Sequence, residues 1–277
     1  MEALRATYGG CSSSDSESDE ESPHLDPPGK SERLPPPPLD LLDSLGLTKS
    51  VVEGSNRIRS FPHVEGNYAL HVFIPVLIPS AVRKDLGLFV KRVSSLIHGI
   101  HAVDIDIPLI DLCKDDQKFE QLFFGREFHI SLGRTVPIGV HQIDSIVPML
   151  RQKLQSQKRY WIEFTKWEVF VNDDHTRTFL SLEVTGEGLY EITKQIHIVD
   201  EIYRLHGLPE FYQNPRPHIS LAWALGDISS SLNQALELNR HYPTACSVKR
   251  QLFVCKFSGI ECKVGKKSYK ICKLSDR

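Results

Sequence analysis

The tetrapeptide His-Ile-Ser-Leu occurs twice in this chain, at His129–Leu132 and again at His218–Leu221, 89 positions later. A single His-x-Ser is unremarkable in a chain with 12 histidines, but a pair that both continue as Ile-Ser-Leu is not. Successive side chains of a β-strand point to opposite faces. In "FHISL", Phe128, Ile130 and Leu132 therefore face a core while His129 and Ser131 face away from it, side by side. In "PHISL", Ile219 and Leu221 are buried while His218 and Ser220 point out together. Each copy demands a strand with one apolar face and one face bearing an imidazole and a hydroxyl. Two strands that share one groove would give it two imidazoles and two hydroxyls.

The surrounding periodicities predict how such strands are framed. Residues 69–77 read as a strand. Pro79-Ser80 opens a helix with Val82, Leu86, Phe89, Val93 and Leu96 on one face, spaced by three or four. Residues 102–108, "AVDIDIP", alternate as a strand would. A second helix is expected over 139–156, bent at Pro148. Residues 160–171 and 178–184 are strand-like and flank the turn composition "NDDHTR". A third helix spans about 188–206, and the chain closes with strands near 251–257 and a hairpin near Gly265. Each half could supply a small sheet with packed helices, so the expected class is α+β in two lobes.

The segment 1–56 is a different kind of sequence. "SSSDSESDEES" and "LPPPPLD" cannot bury an apolar face, and this stretch is expected to be a disordered tail ahead of a domain at 57–277. It holds 4 Lys and Arg against 11 Asp and Glu, a net of −7. The remainder therefore holds 29 against 24, a net of +5, and 249–273 alone carries eight basic residues against one acidic. That stretch suits a polyanion, and a solvated hairpin face explains it equally well. No apolar run approaches the ~20 residues that span a bilayer. The six cysteines show no Cys-x-x-Cys spacing and read as free thiols in a reducing compartment.

Paired His and Ser suit the cleavage of an RNA phosphodiester. A base must take the 2′-OH proton and an acid must protonate the leaving 5′-oxygen, and imidazole serves either role near neutrality. Hydroxyls can donate hydrogen bonds to the non-bridging oxygens, where charge accumulates. No metal or other cofactor is expected. Other histidines (His63, His71, His98, His101 and His197) have no evident chemical company and are assigned no role.

These residues resemble the 2H phosphoesterase superfamily, named for its paired histidines. "RSFPHVEGNYALHVFIP", "FHISLGRT", "NDDHTRTFLSLEV" and "FYQNPRPHISLAWALGD" resemble, in that order, its branch that acts on U6 spliceosomal RNA; the likeness covers roughly 57–277. It implies a two-lobed, pseudo-symmetric fold of antiparallel sheets and packed helices with a groove between the lobes. It implies a monomeric nuclear 3′-to-5′ exoribonuclease that trims the uridine-rich, single-stranded 3′ end of U6 small nuclear RNA, leaving a 2′,3′-cyclic phosphate or a 3′-phosphate. His129 and His218 match its catalytic pair, and Ser131 and Ser220 match its phosphate-binding serines. Tyr212 matches an aromatic that stacks on a terminal nucleotide, a contact worth ~1–3 kcal/mol that tolerates different bases. Asp173 falls where relatives place a polar base-contacting residue, although its turn composition alone explains it. Arg216, two residues before His218, could reach a phosphate or merely be solvated.

Two other readings share these residues. One is hydrolysis of 2′,3′-cyclic or 2′–5′ linkages in other RNA or nucleotides, which would differ in the groove. The other is a non-catalytic RNA-binding scaffold, against which both intact His/Ser pairs argue.

Overall fold

Alternating burial sets the strands, and their pairing brings the two repeats together. The computed structural model describes residues 61, 64–105, 107–240 and 252–274; the acidic segment 1–56 lies outside the described residues. Strand β1 (Asn67–Val76) buries Leu70, Val72, Ile74 and Val76 and turns His71, Phe73 and Pro75 to the opposite face. Helix α1 (Ser80–Leu96) follows, then the short β2 (Ile100–Ala102), β3 (Phe128–Ser131) and β4 (Val136–Gly139). Helix α2 (Val140–Leu154) leads to the long hairpin β5 (Trp161–Val171) and β6 (Arg177–Thr185), and α3 (Glu187–Leu205) to β7 (His218–Leu225). Helix α4 (Ser229–Arg240) precedes β8 (Phe253–Lys256), β9 (Gly259–Val264) and β10 (Lys267–Lys273). The expected α+β class holds.

The strands run in the order β10-β9-β1-β3-β7-β6-β5-β8, with β2 also paired to β7 and β4 to β1. The neighbours are antiparallel throughout. Two five-stranded halves, counting β4 with the first and β2 with the second, thus meet where β3 pairs with β7, and their one registered pair is Ile130 with Ile219. Both isoleucines are fully buried, and on that core face α1 packs with α4 and α2 with α3. The pairing of β3 with β7 places the two copies of His-Ile-Ser-Leu across from each other.

The sheet is strongly curled. Strands β8 and β9 are joined by only Phe257 and Ser258, yet five strands separate them in the sheet. A flat sheet would hold them about 29 Å apart, whereas that link spans about 10 Å. Irregularities in the β5–β6 and β6–β7 ladders, at Phe164/Lys166 and Leu180/Ser181, supply extra twist. Ser258 Oγ donates to the Pro75 carbonyl at 3.3 Å, tying the link to β1.

Two sequence expectations change. The strand expected over 102–108 is not formed by the described residues there: pairing in β2 stops at Ala102, and the chain turns at Asp104, whose φ is +64°. Alternation there reflects a tight loop, closed by a bridge between His101 and Pro108. The helix expected over 139–156 is present as α2, Val140–Leu154, and runs through Pro148. Helix α4 and strand β4 are additional elements; "SSSLNQALELNR" is too polar to announce itself as a helix. No helix among the described residues is long and apolar enough to cross a membrane.

The seam between the halves should be a main source of stability. Truncating Ile219 to Ala leaves a cavity in a fully buried position, with an expected loss of about 2–5 kcal/mol. Urea unfolding of Ile219→Ala should show a lowered midpoint; an unchanged midpoint would contradict this packing.

Candidate active site

With Ile130 opposite Ile219, the antiparallel register sets His129 across from Ser220 and Ser131 across from His218. All four side chains leave the sheet on the face opposite the buried isoleucines. The two imidazoles are diagonal neighbours, a relation that separates Cα atoms by ~7–8 Å in an antiparallel pair. That span admits a phosphate between them. The twofold pattern in the sequence becomes one four-residue cluster on two adjacent strands.

Each serine is held by a side chain from the strand beyond. Ser131 Oγ lies 3.0 Å from His71 Nε2 on β1. Ser220 Oγ lies 3.1 Å from Ser181 Oγ on β6. His71 also meets His129 edge to face, with ring centroids 4.9 Å apart, and stacks on Phe73 at 5.0 Å. The sequence reading gave His71 no role; the structure puts it in the first ring of contacts. Its signal was present: His71 alternates with Leu70, Val72 and Ile74, so it had to project from the non-core face of β1.

Burial pushes the His71 imidazole down to about 3, with the neighbouring His129 and Lys263 adding to the effect. His71 is therefore a neutral partner of Ser131 near neutrality. Burial also lowers the His129 imidazole; Asp104 opposes this, while Arg126 and Lys263 reinforce it. Burial likewise lowers His218, but here the hydrogen bond to the Arg216 carbonyl and the carboxylate of Glu183 oppose it, while His129 and the Arg216 charge reinforce it. Both imidazoles at the seam therefore favour the neutral form more than a free histidine does.

His218 makes contacts of a different kind from those of His129. Its Nδ1–H donates to the Arg216 carbonyl at 2.7 Å. Phe170 stacks on it, centroids 3.9 Å apart and planes 13° from parallel. The guanidinium of Arg216 is bound to carboxylates: Nε donates to Glu183 Oε1 at 2.6 Å, and a terminal nitrogen lies 2.9 Å from Glu183 Oε2 and from Glu168 Oε2. Its charge is thus matched inside the protein.

Tyr212 and Asp173 come together through a residue the sequence reading did not name. Arg134 lies 4.2 Å over the Tyr212 ring and 2.7 Å from Asp173 Oδ2, and donates to the Glu210 carbonyl at 3.0 Å. Arg134 covers a face of the ring, while Tyr212 stays 44% exposed. Arg134 leaves the C-terminal end of β3, and Tyr212 lies on the loop entering β7, so both sit at the His218 end of the seam. Among the described residues, no group of three or more His, Cys, Asp or Glu is placed to hold a metal ion. Cys113, Cys255, Cys262 and Cys272 are free thiols, and burial raises the last three along with Cys113.

The HVSL family, described as an uncharacterised conserved protein, matches residues 35–272. The U6 snRNA phosphodiesterase 1 of Mus musculus is 29% identical over 252 residues, 87% of this chain and 84% of that protein. The Xenopus laevis protein of the same name is 31% identical over 220 residues, 76% of this chain and 78% of its own length. This chain belongs to the U6 snRNA phosphodiesterase 1 family. A structure of Kluyveromyces marxianus Usb1 with uridine monophosphate superposes with a TM-score of 0.53 over 74% of this chain and 98% of that one, at 15% identity. The family fold thus survives where little sequence identity remains.

In this family member, the buried neutral His71 makes acid stability a readout of the site. Its folded value of about 3 lies below the ordinary 6.5. The unfolded chain therefore binds a proton that the folded chain refuses between those pH values, and stability must fall as pH drops through that window. Urea unfolding from pH 7 to pH 4 should show a shallower decline for His71→Asn than for the native chain. Parallel declines would contradict the placement of His71.

Proposed function

We propose that this chain is a metal-independent 3′-to-5′ RNA exonuclease that trims the uridine-rich single-stranded end of U6 small nuclear RNA in the nucleus, acting as a monomer. Family membership supports the substrate. The observation that supports the chemistry is the β3–β7 pairing, which sets two imidazoles diagonally across a space of phosphate size, with a hydroxyl beside each.

In this reading the 2′-OH of the penultimate nucleotide attacks the adjacent phosphorus. One imidazole takes the 2′-OH proton as the new P–O bond forms. The other gives its proton to the 5′-oxygen as the old P–O bond breaks, releasing the terminal nucleoside unit and leaving a 2′,3′-cyclic phosphate. Ser131 and Ser220 donate hydrogen bonds to the non-bridging oxygens, where charge builds up. The exposed part of Tyr212 offers a stacking surface for the terminal base, and Asp173, tied to it through Arg134, can accept from the base edge.

The surroundings of the two imidazoles favour a division of labour. Burial disfavours a proton on His129, with Arg126 and Lys263 adding to that effect and Asp104 opposing it, and this net lowering suits the base. The Arg216 carbonyl and Glu183 favour a proton on His218, which suits the acid. The Arg216 guanidinium, already paired with Glu183 and Glu168, is better placed to hold the site together than to bind phosphate.

The test is a cleavage assay on uridine-tailed RNA with EDTA present throughout. His129→Ala and His218→Ala should each lower turnover by ~10²–10⁴-fold. RNA with a 2′-deoxy penultimate residue should resist cleavage, because the nucleophile is missing. A 5′-thio leaving group should restore His218→Ala and not His129→Ala, since sulfur leaves without an acid. Rescue of His129→Ala instead reverses the roles, and normal cleavage of the deoxy substrate overturns internal attack.

A further inference from the structure

His218 is built into a network that His129 lacks. A carbonyl oxygen only accepts hydrogen bonds, so the 2.7 Å contact with the Arg216 carbonyl requires the proton to be on His218 Nδ1. The same Arg216 carries the guanidinium that grips Glu183 with two nitrogens, at 2.6 and 2.9 Å. Glu183 faces His218 directly across the β6–β7 ladder. Lys166 of β5 completes the cluster, 3.0 Å from Glu183 and 2.8 Å from Glu168. The Arg216 guanidinium also lies 4.8 Å over the Phe170 ring.

The position of Phe170 is not what a flat sheet would give. It pairs with Phe179, four residues along β6 from Glu183. At the strand rise that offset is about 13 Å from the level of His218. Phe170 nevertheless lies face to face with the imidazole at 3.9 Å. The hairpin must coil over the site face, and the ion cluster of Lys166, Glu168, Glu183 and Arg216 ties its two strands to the loop entering β7. Around His129 the corresponding contacts are aromatic edges from His71 and Phe73, and no ring-nitrogen hydrogen bond is made to it among the described residues.

We propose that Glu183, Arg216 and Phe170 form a positioning device for His218: the ion pair anchors the carbonyl that holds Nδ1–H, Phe170 fixes the ring plane, and Nε2 is thereby presented to the scissile phosphodiester. This rests on the reading of His218 as an acid–base group at that bond. The device gives the pseudo-symmetric site a defined polarity, since among the described residues His218 alone of the two imidazoles has a ring nitrogen held by a hydrogen bond. The charged groups facing His218 are Glu183 from β6, Arg216 from its own loop and His129 from β3, with Glu168 and Lys166 of β5 behind Glu183.

Two variants test it in the full chain: Glu183→Gln, which keeps the shape and removes the charge, and Phe170→Leu. Imidazole nitrogen NMR should show neutral His218 as a single Nδ1–H tautomer in the native chain. In either variant the signals should move toward a mixture of tautomers. On uridine-tailed RNA, both variants should lower kcat by roughly 10-fold or more with little change in KM. For Glu183→Gln the alkaline limb of the kcat profile should also move to lower pH, because a carboxylate that favours the imidazolium is gone. An unchanged tautomer, or a kcat profile that superposes on the native one with only thermal stability lowered, would overturn the proposal. If the native chain cleaved no RNA, the reading of the reaction would fall, and the tautomer spectra would still decide whether the device exists.

Discussion

The backbone pairing of β3 with β7 is the contact on which the rest depends. It joins the two halves of the sheet, and its central pair, Ile130 with Ile219, is fully buried. Because strand side chains alternate, burying those isoleucines forces His129, Ser131, His218 and Ser220 onto the opposite face. A slip of one residue in either strand would turn an imidazole into the core. Core packing and site geometry are therefore the same constraint: the apolar residues hold the register, and the register places the two imidazoles.

Curling converts this flat arrangement into an enclosed one. The two-residue link between β8 and β9 is possible only if the sheet bends, and the ladder irregularities in β5–β6–β7 provide the twist. The same coiling lays Phe170 on His218 and brings the hairpin turn, through Asp173, to Arg134. Features far apart along a strand thus converge on one end of the seam, where Tyr212 also lies. Enclosure has an electrostatic consequence as well, since burial lowers both imidazoles and strengthens each charged contact around them.

Much of this was legible in the sequence for a specific reason. The two copies of His-Ile-Ser-Leu carry their own orientation, because period-two alternation with large apolar residues leaves no choice of face. The long strands and the helices at 80–96, 140–154 and 187–205 were equally plain from their spacing. What was not legible depended on long-range pairing. His71 lies 60 residues from the serine it contacts, and only the β1–β3 register joins them. Glu183 meets His218 through the β6–β7 register, and Arg134 and Phe170 reach the site through sheet curvature, neither of which a local pattern reports. The stretch 102–108 misled because Ile105 and Ile107 alternate within a loop that packs them against the core without strand pairing.

The central claim is that the seam holds a pair of imidazoles that drive attack by the RNA's own 2′-oxygen. Mass spectrometry of the shortened RNA, after reaction in heavy-oxygen water, tests it most directly. The account predicts a newly formed 2′,3′-cyclic phosphate end that carries no solvent oxygen at early times. A shortened RNA ending in a free 3′-hydroxyl, with the solvent oxygen on a released 5′-mononucleotide, would contradict it.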